Sequence, residues 1–279
     1  MTPEKEFDRR VKENVRRLGE DKDFRGLSNV WVREAIRHSY AQNFTWLGRP
    51  IIQVPQDVYA IQELIWAVRP DLVIETGVAH GGSLILSASL LALLDYCDAV
   101  AAGEPLVPCD SQRRVLGIDI DIRAHNRAAI ASHPMAHLIE LVQGSSIEPT
   151  IVSAVKRRAA DFNRVLVFLD SNHTHEHVLA ELEAYAPLVG MDSYCVVWDS
   201  GVEDLPDGFV TDRPWGKGNN PKTALLAYLG ALDRDGRLAA DGSPLHFEID
   251  KEIEYRIMIT ASTDGFLKRR PTAQCAFVS

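Results

Sequence analysis

The sequence predicts an α/β protein with a doubly wound, mostly parallel sheet and an N-terminal helical extension. Three observations predict it. First, short apolar runs rich in β-branched residues recur along the chain, and each stops at polar residues. Residues 72–74 run into Glu75 and 115–118 into Asp119; 138–142 lead to Gly144-Ser145-Ser146, 165–169 to Asp170, and 194–198 to Asp199-Ser200. Such runs are too short for helices and fit buried strands. Second, amphipathic segments separate most of them, the alternation that produces parallel strands joined by helical crossovers. Third, the first strand runs into a glycine turn, Thr76-Gly77-Val78-Ala79-His80-Gly81-Gly82-Ser83, that opens an apolar helix. Ligands of such sheets bind beyond the carboxyl ends of the strands, so these polar ends would all face one crevice.

Taken in order, residues 1–45 read as helical and mixed in charge, with an amphipathic helix around 30–40. An aromatic–Gly–Pro turn follows at 44–50. Residues 57–68 form a helix with Asp57 near its N-cap and Val58, Ile61 and Ile65 on one face. Pro70-Asp71 breaks it ahead of the first strand. In the glycine turn, Gly77 can take a positive φ, Gly81-Gly82 let a ligand approach the backbone, and Ser83 can cap the helix over 84–94. The spacing is G-x-x-x-G-G, not the dinucleotide pattern G-x-G-x-x-G. Residues 99–114 read as a polar, irregular insertion. The stretch 203–222 is rich in Gly, Pro and Asn and contains Trp215, and a loop that long in a compact domain points to function. Residues 247–250 and 255–261 are expected to supply the last strands, with Asp264-Gly265 as the hairpin turn into 266–269.

Composition excludes several classes. A chain of 279 residues with 46% hydrophobic and 25% charged residues is ordinary for a globular protein. A formal net charge of −9 argues against a nucleic-acid partner, and the clusters Lys156-Arg157-Arg158 and Lys268-Arg269-Arg270 read as solvated surface. Cys97, Cys109, Cys195 and Cys275 lack C-x-x-C spacing, which fits a reduced cytoplasmic protein. The N-terminus carries no apolar signal-like core, and the apolar run 84–94 is too short to span a bilayer, so no membrane partner is expected.

The chemistry concentrates at two strand ends. Asp170 and Asp199 close successive strands, where two carboxylates suit a hard divalent cation (magnesium, calcium or manganese), with Ser200 as a third oxygen donor. Asp199 could instead cap the segment that follows. In Asp170-Ser171-Asn172-His173-Thr174-His175-Glu176-His177, a helix beginning near Thr174 puts His173 at its mouth. A neutral imidazole there can take a proton from a substrate hydroxyl, or simply cap the helix. His175 and His177 read as surface or packing residues. The cluster is superficially similar to the H-x-H-x-D-H motif of zinc hydrolases, but later strands end without the further histidines such a site needs. A non-catalytic nucleotide-binding module would leave Asp170, His173 and Asp199 without a shared role.

The motifs 74–83, 117–121, 144–146, 169–175, 212–221 and 264–269 together resemble the cephalosporin hydroxylase-like family, in order, from about Trp46 to Arg269. That family has the fold of class I S-adenosylmethionine (SAM)-dependent methyltransferases and is similar to magnesium-dependent O-methyltransferases of macrolide sugars. The resemblance implies that Glu75, Gly77, Gly81, Gly82 and Ser83 hold the methionine part of SAM. It places Asp119 on the ribose, Ser145 or Ser146 beside the adenine, and Asp170 and His173 as metal ligand and catalytic base. Where the sugar methyltransferases carry two consecutive acids, this chain has Asp199 and Ser200, so the second acid is missing and weaker metal binding is implied. The expected organisation is an extension over 1–50, serving in oligomerisation or as a lid, and a methyltransferase domain over 51–279. The expected reaction is Mg2+- or Mn2+-assisted methylation of a hydroxyl on a sugar-containing small molecule by a homo-oligomer.

Overall fold

The computed structural model describes residues 2–272. Two helices lead, α1 (Pro3–Glu20) and α2 (Lys22–Arg37), with N-caps supplied by Thr2 and Asp21. The expected turn at 44–50 is a small hairpin of β1 (Phe44–Trp46) and β2 (Arg49–Ile51). Leu47 and Gly48 both take positive φ in its two-residue loop, the geometry that matches the twist of paired strands. Then come α3 (Pro55–Val68), β3 (Leu72–Thr76), α4 (Gly82–Ala102), β4 (Arg114–Asp119), α5 (Ala124–Ala131), β5 (Ile139–Gln143), α6 (Pro149–Ala159), β6 (Val165–Leu169), α7 (His175–Tyr185) and β7 (Tyr194–Val197). The chain closes with α8 (Pro221–Asp235), β8 (Phe247–Ile249), α9 (Lys251–Ile257) and β9 (Phe266–Arg269).

The seven-stranded sheet has the order β5-β4-β3-β6-β7-β9-β8. The first five of these strands are parallel, and β9 runs antiparallel to both its neighbours. The order reverses at β3, whose Thr76 is level with Ile118 of β4 and Leu169 of β6. That reversal opens the crevice between the carboxyl ends of β3 and β6.

Alternate strand residues feed two cores, as a period of two requires. Leu72, Ile74, Leu116, Ile118, Val167 and Val197 pack with α6, α7 and α8 on one face. Val73, Val115, Leu166, Phe168 and Val196 pack with α3 and α4 on the other.

Four expectations change. The helix expected over 84–94, α4, is not confined to those residues: it runs to Ala102, 21 residues, and is long and apolar enough by length and composition to cross a membrane. Here Leu84, Leu86 and Leu91 are fully buried between sheet and α3, and Ile85 is fully buried as well. Residues 255–261 form no strand. Asp250 caps α9 by accepting from Glu252 N, and Lys251–Glu254 and Arg256–Glu252 pairs lie along the helix while Ile253 and Ile257 pack inward. The alternation of charged and apolar residues there also satisfies an i, i+4 stripe, and the cap decides between the two. Consequently β9 pairs with β7 and β8 rather than in a hairpin across Asp264-Gly265. Finally, Arg269 is not solvated: it is 1% exposed and binds Asp241, Ser243 and the Val189 carbonyl. Cys97, Cys109 and Cys195 are free thiols, and Cys275 lies outside the described residues.

Candidate active site

A cavity of about 390 Å³ opens at the reversal point. Its floor is the glycine turn (Gly77, Val78, Ala79, His80, Gly82, Ser83) with Asp170, His173 and Asp199; its far wall is Val32, Ala35 and Ile36 of α2.

The turn is held from several sides. The Asp119 carboxylate accepts from Val78 N at 2.8 Å, Ala79 N at 3.2 Å and Asp121 N at 3.0 Å. Arg49 donates to the His80 carbonyl at 2.5 Å, and Asn126 donates to the Ala79 carbonyl at 2.8 Å. The glycines answer to the protein itself. A Cβ on Gly77 (φ +90) would overlap the Asp170 carbonyl, one on Gly81 would strike Ile130, and one on Gly82 would strike the Pro50 carbonyl. The close approach expected of a ligand at Gly81-Gly82 is therefore made by Ile130 and the β1–β2 hairpin. Ser83 does not cap α4, whose N-cap is Gly81; its hydroxyl donates to Glu75 Oε1. Glu75 is 2% exposed, its Oε2 has no partner, and burial pushes its carboxyl up to about 8. Glu75 lies behind the cavity lining and meets it through Ser83, and its unmet oxygen is one that a further donor would satisfy.

The ends of β6 and β7 bring Asp170, His173 and Asp199 together, with one ligand atom from each lying within 4.8 Å of the others. Asp170 follows β6, its N–H donating to the Thr76 carbonyl at 3.0 Å. Gln53 Nε2 lies 3.5 Å from its Oδ2. Asp199 takes a left-handed φ of 53° and sets Oδ2 at 3.2 Å from His173 Nε2. Burial raises the Asp170 carboxyl well above the usual range, and the charges acting on it, from Asp199, Glu75, Glu181 and Asp57, push the same way. Two carboxylates and an imidazole in a field of unbalanced negative charge fit a divalent cation. Ser200 is not brought to this cluster. It is fully buried and donates its hydroxyl to the Thr263 carbonyl at 2.7 Å.

Of the two serines read from the sequence as adenine neighbours, only Ser146 has its hydroxyl engaged among the described residues. Ser146 is buried with Oγ 3.0 Å from His177 Nε2, whereas Ser145 is partly exposed. The three histidines diverge: His175 Nδ1 meets Thr223 Oγ1 at 2.8 Å, and His177 meets Ser146 and Ser171. No zinc-hydrolase cluster forms from them.

The family model described as Rhamnosyl O-methyltransferase/CmcI matches residues 38–270. The chain belongs to that family. Curated relatives called rhamnosyl O-methyltransferase occur in Mycobacterium tuberculosis, 27% identical over 246 residues (85% of this chain and 85% of the relative), and in Mycobacterium leprae, 28% identical over 245 residues (86% and 91%). The solved structure "cmcI-D160 Mg-SAM" superposes with a TM-score of 0.50 at 18% identity, over 82% of this chain and 77% of that one, and shares the fold. The protein is a SAM-dependent O-methyltransferase of class I architecture.

Several site residues escape sequence reading. Gln53 touches Asp170, and Trp215 packs on His173 with ring centroids 4.9 Å apart. Asp57, read as a helix cap, is fully buried and accepts from Ala261 N at 3.0 Å. Its Oδ1 is unpartnered, and burial pushes its carboxyl up to about 7. Only the Trp in the long loop gave a signal; Gln53 and Asp57 reach the site through contacts distant in sequence.

Proposed function

We propose that the enzyme methylates a hydroxyl of a sugar carried on a small molecule, with Mg2+ or Mn2+ held by Asp170 and Asp199 and with His173 as the base. The observation that carries this reading is the convergence of Asp170, His173 and Asp199 on the cavity that the glycine turn floors. When bound, SAM supplies an electrophilic methyl carbon, and a divalent cation supplies the charge that acidifies the acceptor hydroxyl. Glu75, Gly77, Gly81, Gly82 and Ser83 are assigned to the methionine part of SAM, and Asp119, Ser145 and Ser146 to its ribose and adenine. Asp199 Oδ2 lies 3.2 Å from His173 Nε2, and Nδ1 is the nitrogen assigned to the base. That nitrogen would take the acceptor hydroxyl's proton, readying its oxygen for the methyl group that bound SAM would supply.

The names of the relatives support a rhamnose-type acceptor. The apolar wall of Val32, Ala35, Ile36, Ile51 and Ile52 supports an acceptor whose sugar is joined to an apolar body. That wall also supports assigning residues 1–50 as a lid on a domain spanning 51–279. Phe7, Phe24, Leu27 and Val30 on the same helices are exposed, surface that a homo-oligomer would cover, and light scattering would size it. The free thiols fit the cytoplasm.

The test is a screen of aryl and alkyl rhamnosides with methyl-labelled SAM, with and without EDTA. Label should enter the sugar, fall with EDTA and return with Mg2+ or Mn2+. Binding of S-adenosylhomocysteine without transfer to any sugar would overturn the acceptor class, and full transfer in EDTA would overturn the metal.

A further inference from the structure

We propose that the turn over 214–220 is a clamp that fixes the orientation of His173, with Trp215 and Asn219 as its positioning residues. The proposal rests on the reading of His173 as the base. It gives the long Gly-, Pro- and Asn-rich segment before α8 a role.

The imidazole of His173 has two restraints. Asp199 Oδ2 lies 3.2 Å from Nε2, and the Trp215 ring packs edge-to-face at 4.9 Å between centroids with an interplanar angle of 82°. One polar contact leaves a histidine ring free to exchange rotamers, because its terminal torsion is broad and soft. An aromatic wall against the ring removes the alternatives, and edge-to-face pairs are favoured contacts in their own right. His173 lines the cavity, whereas Trp215 is not among its lining residues. Trp215 therefore meets the base without itself lining the cavity.

The turn is built to hold that Trp still. Gly216 and Asn219 exchange both backbone hydrogen bonds at 3.0 Å, and Gly218 takes φ +81 between them with open space around it. Asn220 donates from its amide to the Gly216 carbonyl at 2.9 Å and to Glu203, whose Oε2 also accepts from Gly218 N at 2.8 Å. Asn219 makes the link to the catalytic segment. Its Nδ2 donates to the Pro214 carbonyl at 2.9 Å, and its Oδ1 accepts from His175 N at 2.9 Å. One amide side chain thus joins the residue before Trp215 to the backbone two residues beyond His173. His175 adds a second tie through Thr223 Oγ1 at 2.8 Å. The ring of His173 is held by Trp215, and the backbone two residues beyond it by Asn219.

The clamp makes separable predictions. Trp215→Ala should lower kcat by about 10- to 100-fold, the scale of a misplaced catalytic group, with little change in KM for SAM or the acceptor. Trp215→Phe, which keeps an aromatic wall, should recover to within about threefold of wild type. Asn219→Ala should resemble Trp215→Ala, and both variants should bind S-adenosylhomocysteine like wild type. In a His173→Ala background, Trp215→Ala should cost nothing further, because its effect passes through the imidazole. Independently of turnover, the side-chain resonances of His173 in histidine-labelled protein, assigned by their loss in His173→Ala, should shift in Trp215→Ala and stay near wild type in Trp215→Phe. If no sugar accepts the methyl group, the kinetic arms fall with the functional reading, and the resonances alone decide the clamp. Unmoved His173 resonances overturn it. So does a raised acceptor KM at unchanged kcat, which would make Trp215 a binding surface, or an additive loss in the double variant.

Discussion

The two halves of the crevice treat their polar groups in opposite ways. At the ends of β3 and β4, the signature residues other than Glu75 are engaged by the protein: Asp119 accepts three backbone N–H groups, and Gly77, Gly81 and Gly82 make room for Asp170, Ile130 and Pro50. At the ends of β6 and β7, Asp170, His173 and Asp199 converge with their charge uncompensated, and the Asp170 carboxyl is held well above its usual range by burial and by surrounding acids. The first half maintains a shape, and the second holds reactive capacity open at a cost in electrostatic free energy. Residues of the first should therefore fail through folding, and residues of the second through chemistry.

The largest expected effect sharpens that contrast. EDTA should lower turnover by about 10²-fold or more, several kcal/mol of charge stabilisation being lost. Mg2+ should restore wild type but not Asp170→Asn, and the midpoint of urea unfolding of the metal-free protein should not fall in that variant. A neutral amide removes a repelled buried charge, so equal or greater stability is expected. Loss of stability in Asp170→Asn would break the comparison.

Next comes the turn. Gly77→Ala meets both a left-handed backbone and the Asp170 carbonyl, and should cost about 2–4 kcal/mol in urea unfolding. Gly48→Ala has a similar φ, +85, but open space around it, and should cost only about 1 kcal/mol. Equal losses would mean that the close approach to Asp170 has no energetic weight.

A smaller effect appears in the pH dependence of the ligand-free protein. Folded Asp57 keeps its proton up to about 7, whereas the unfolded chain loses it near 3.9. Between those values the folded state binds more protons, so stability is greatest at low pH and falls as pH rises toward 7. Glu75, pushed up to about 8, acts in the same direction over a window extending further. Asp57→Asn keeps an acceptor for Ala261 N and should remove roughly 2 kcal/mol of the loss between pH 5 and 7. An unchanged slope in that variant would place the titration elsewhere.

The smallest expected effect concerns Ser200. Removing its buried hydrogen bond to Thr263 in Ser200→Ala should cost about 1 kcal/mol and leave the Mg2+ dependence unchanged. A tenfold rise in the Mg2+ needed for activity would return Ser200 to the metal shell.

Much of this site is legible in the sequence because topology does the gathering. Glu75, Asp119, Asp170 and Asp199 each follow an apolar run, and a parallel sheet lines up the ends of its strands whatever lies between them. His173 is legible for the same reason, sitting beside Asp170 at the mouth of α7. What the sequence hides depends on long-range contact. Gly82 looks like part of a ligand cradle until the β1–β2 hairpin is seen packed on it, and Ser200 looks like a ligand until Thr263 is found to receive its hydroxyl. Arg269 belongs to a basic triplet that reads as surface, yet Asp241 and Ser243 arrive from a loop to bury it. The charged–apolar pattern before Asp264 fits strand and helix alike, and the Asp250 cap selects the helix.

The proposed role of His173 is chemistry, not binding. The direct measurement is single-turnover methyl transfer in His173→Ala, set beside calorimetry with S-adenosylhomocysteine, with His175→Ala and His177→Ala as companions. The account predicts transfer slowed by about 10²–10⁴-fold at unchanged cofactor affinity for His173→Ala, and much smaller losses for the other two, whose rings bind Thr223 and Ser146. Wild-type transfer in His173→Ala, or lost cofactor affinity in place of lost transfer, would contradict it.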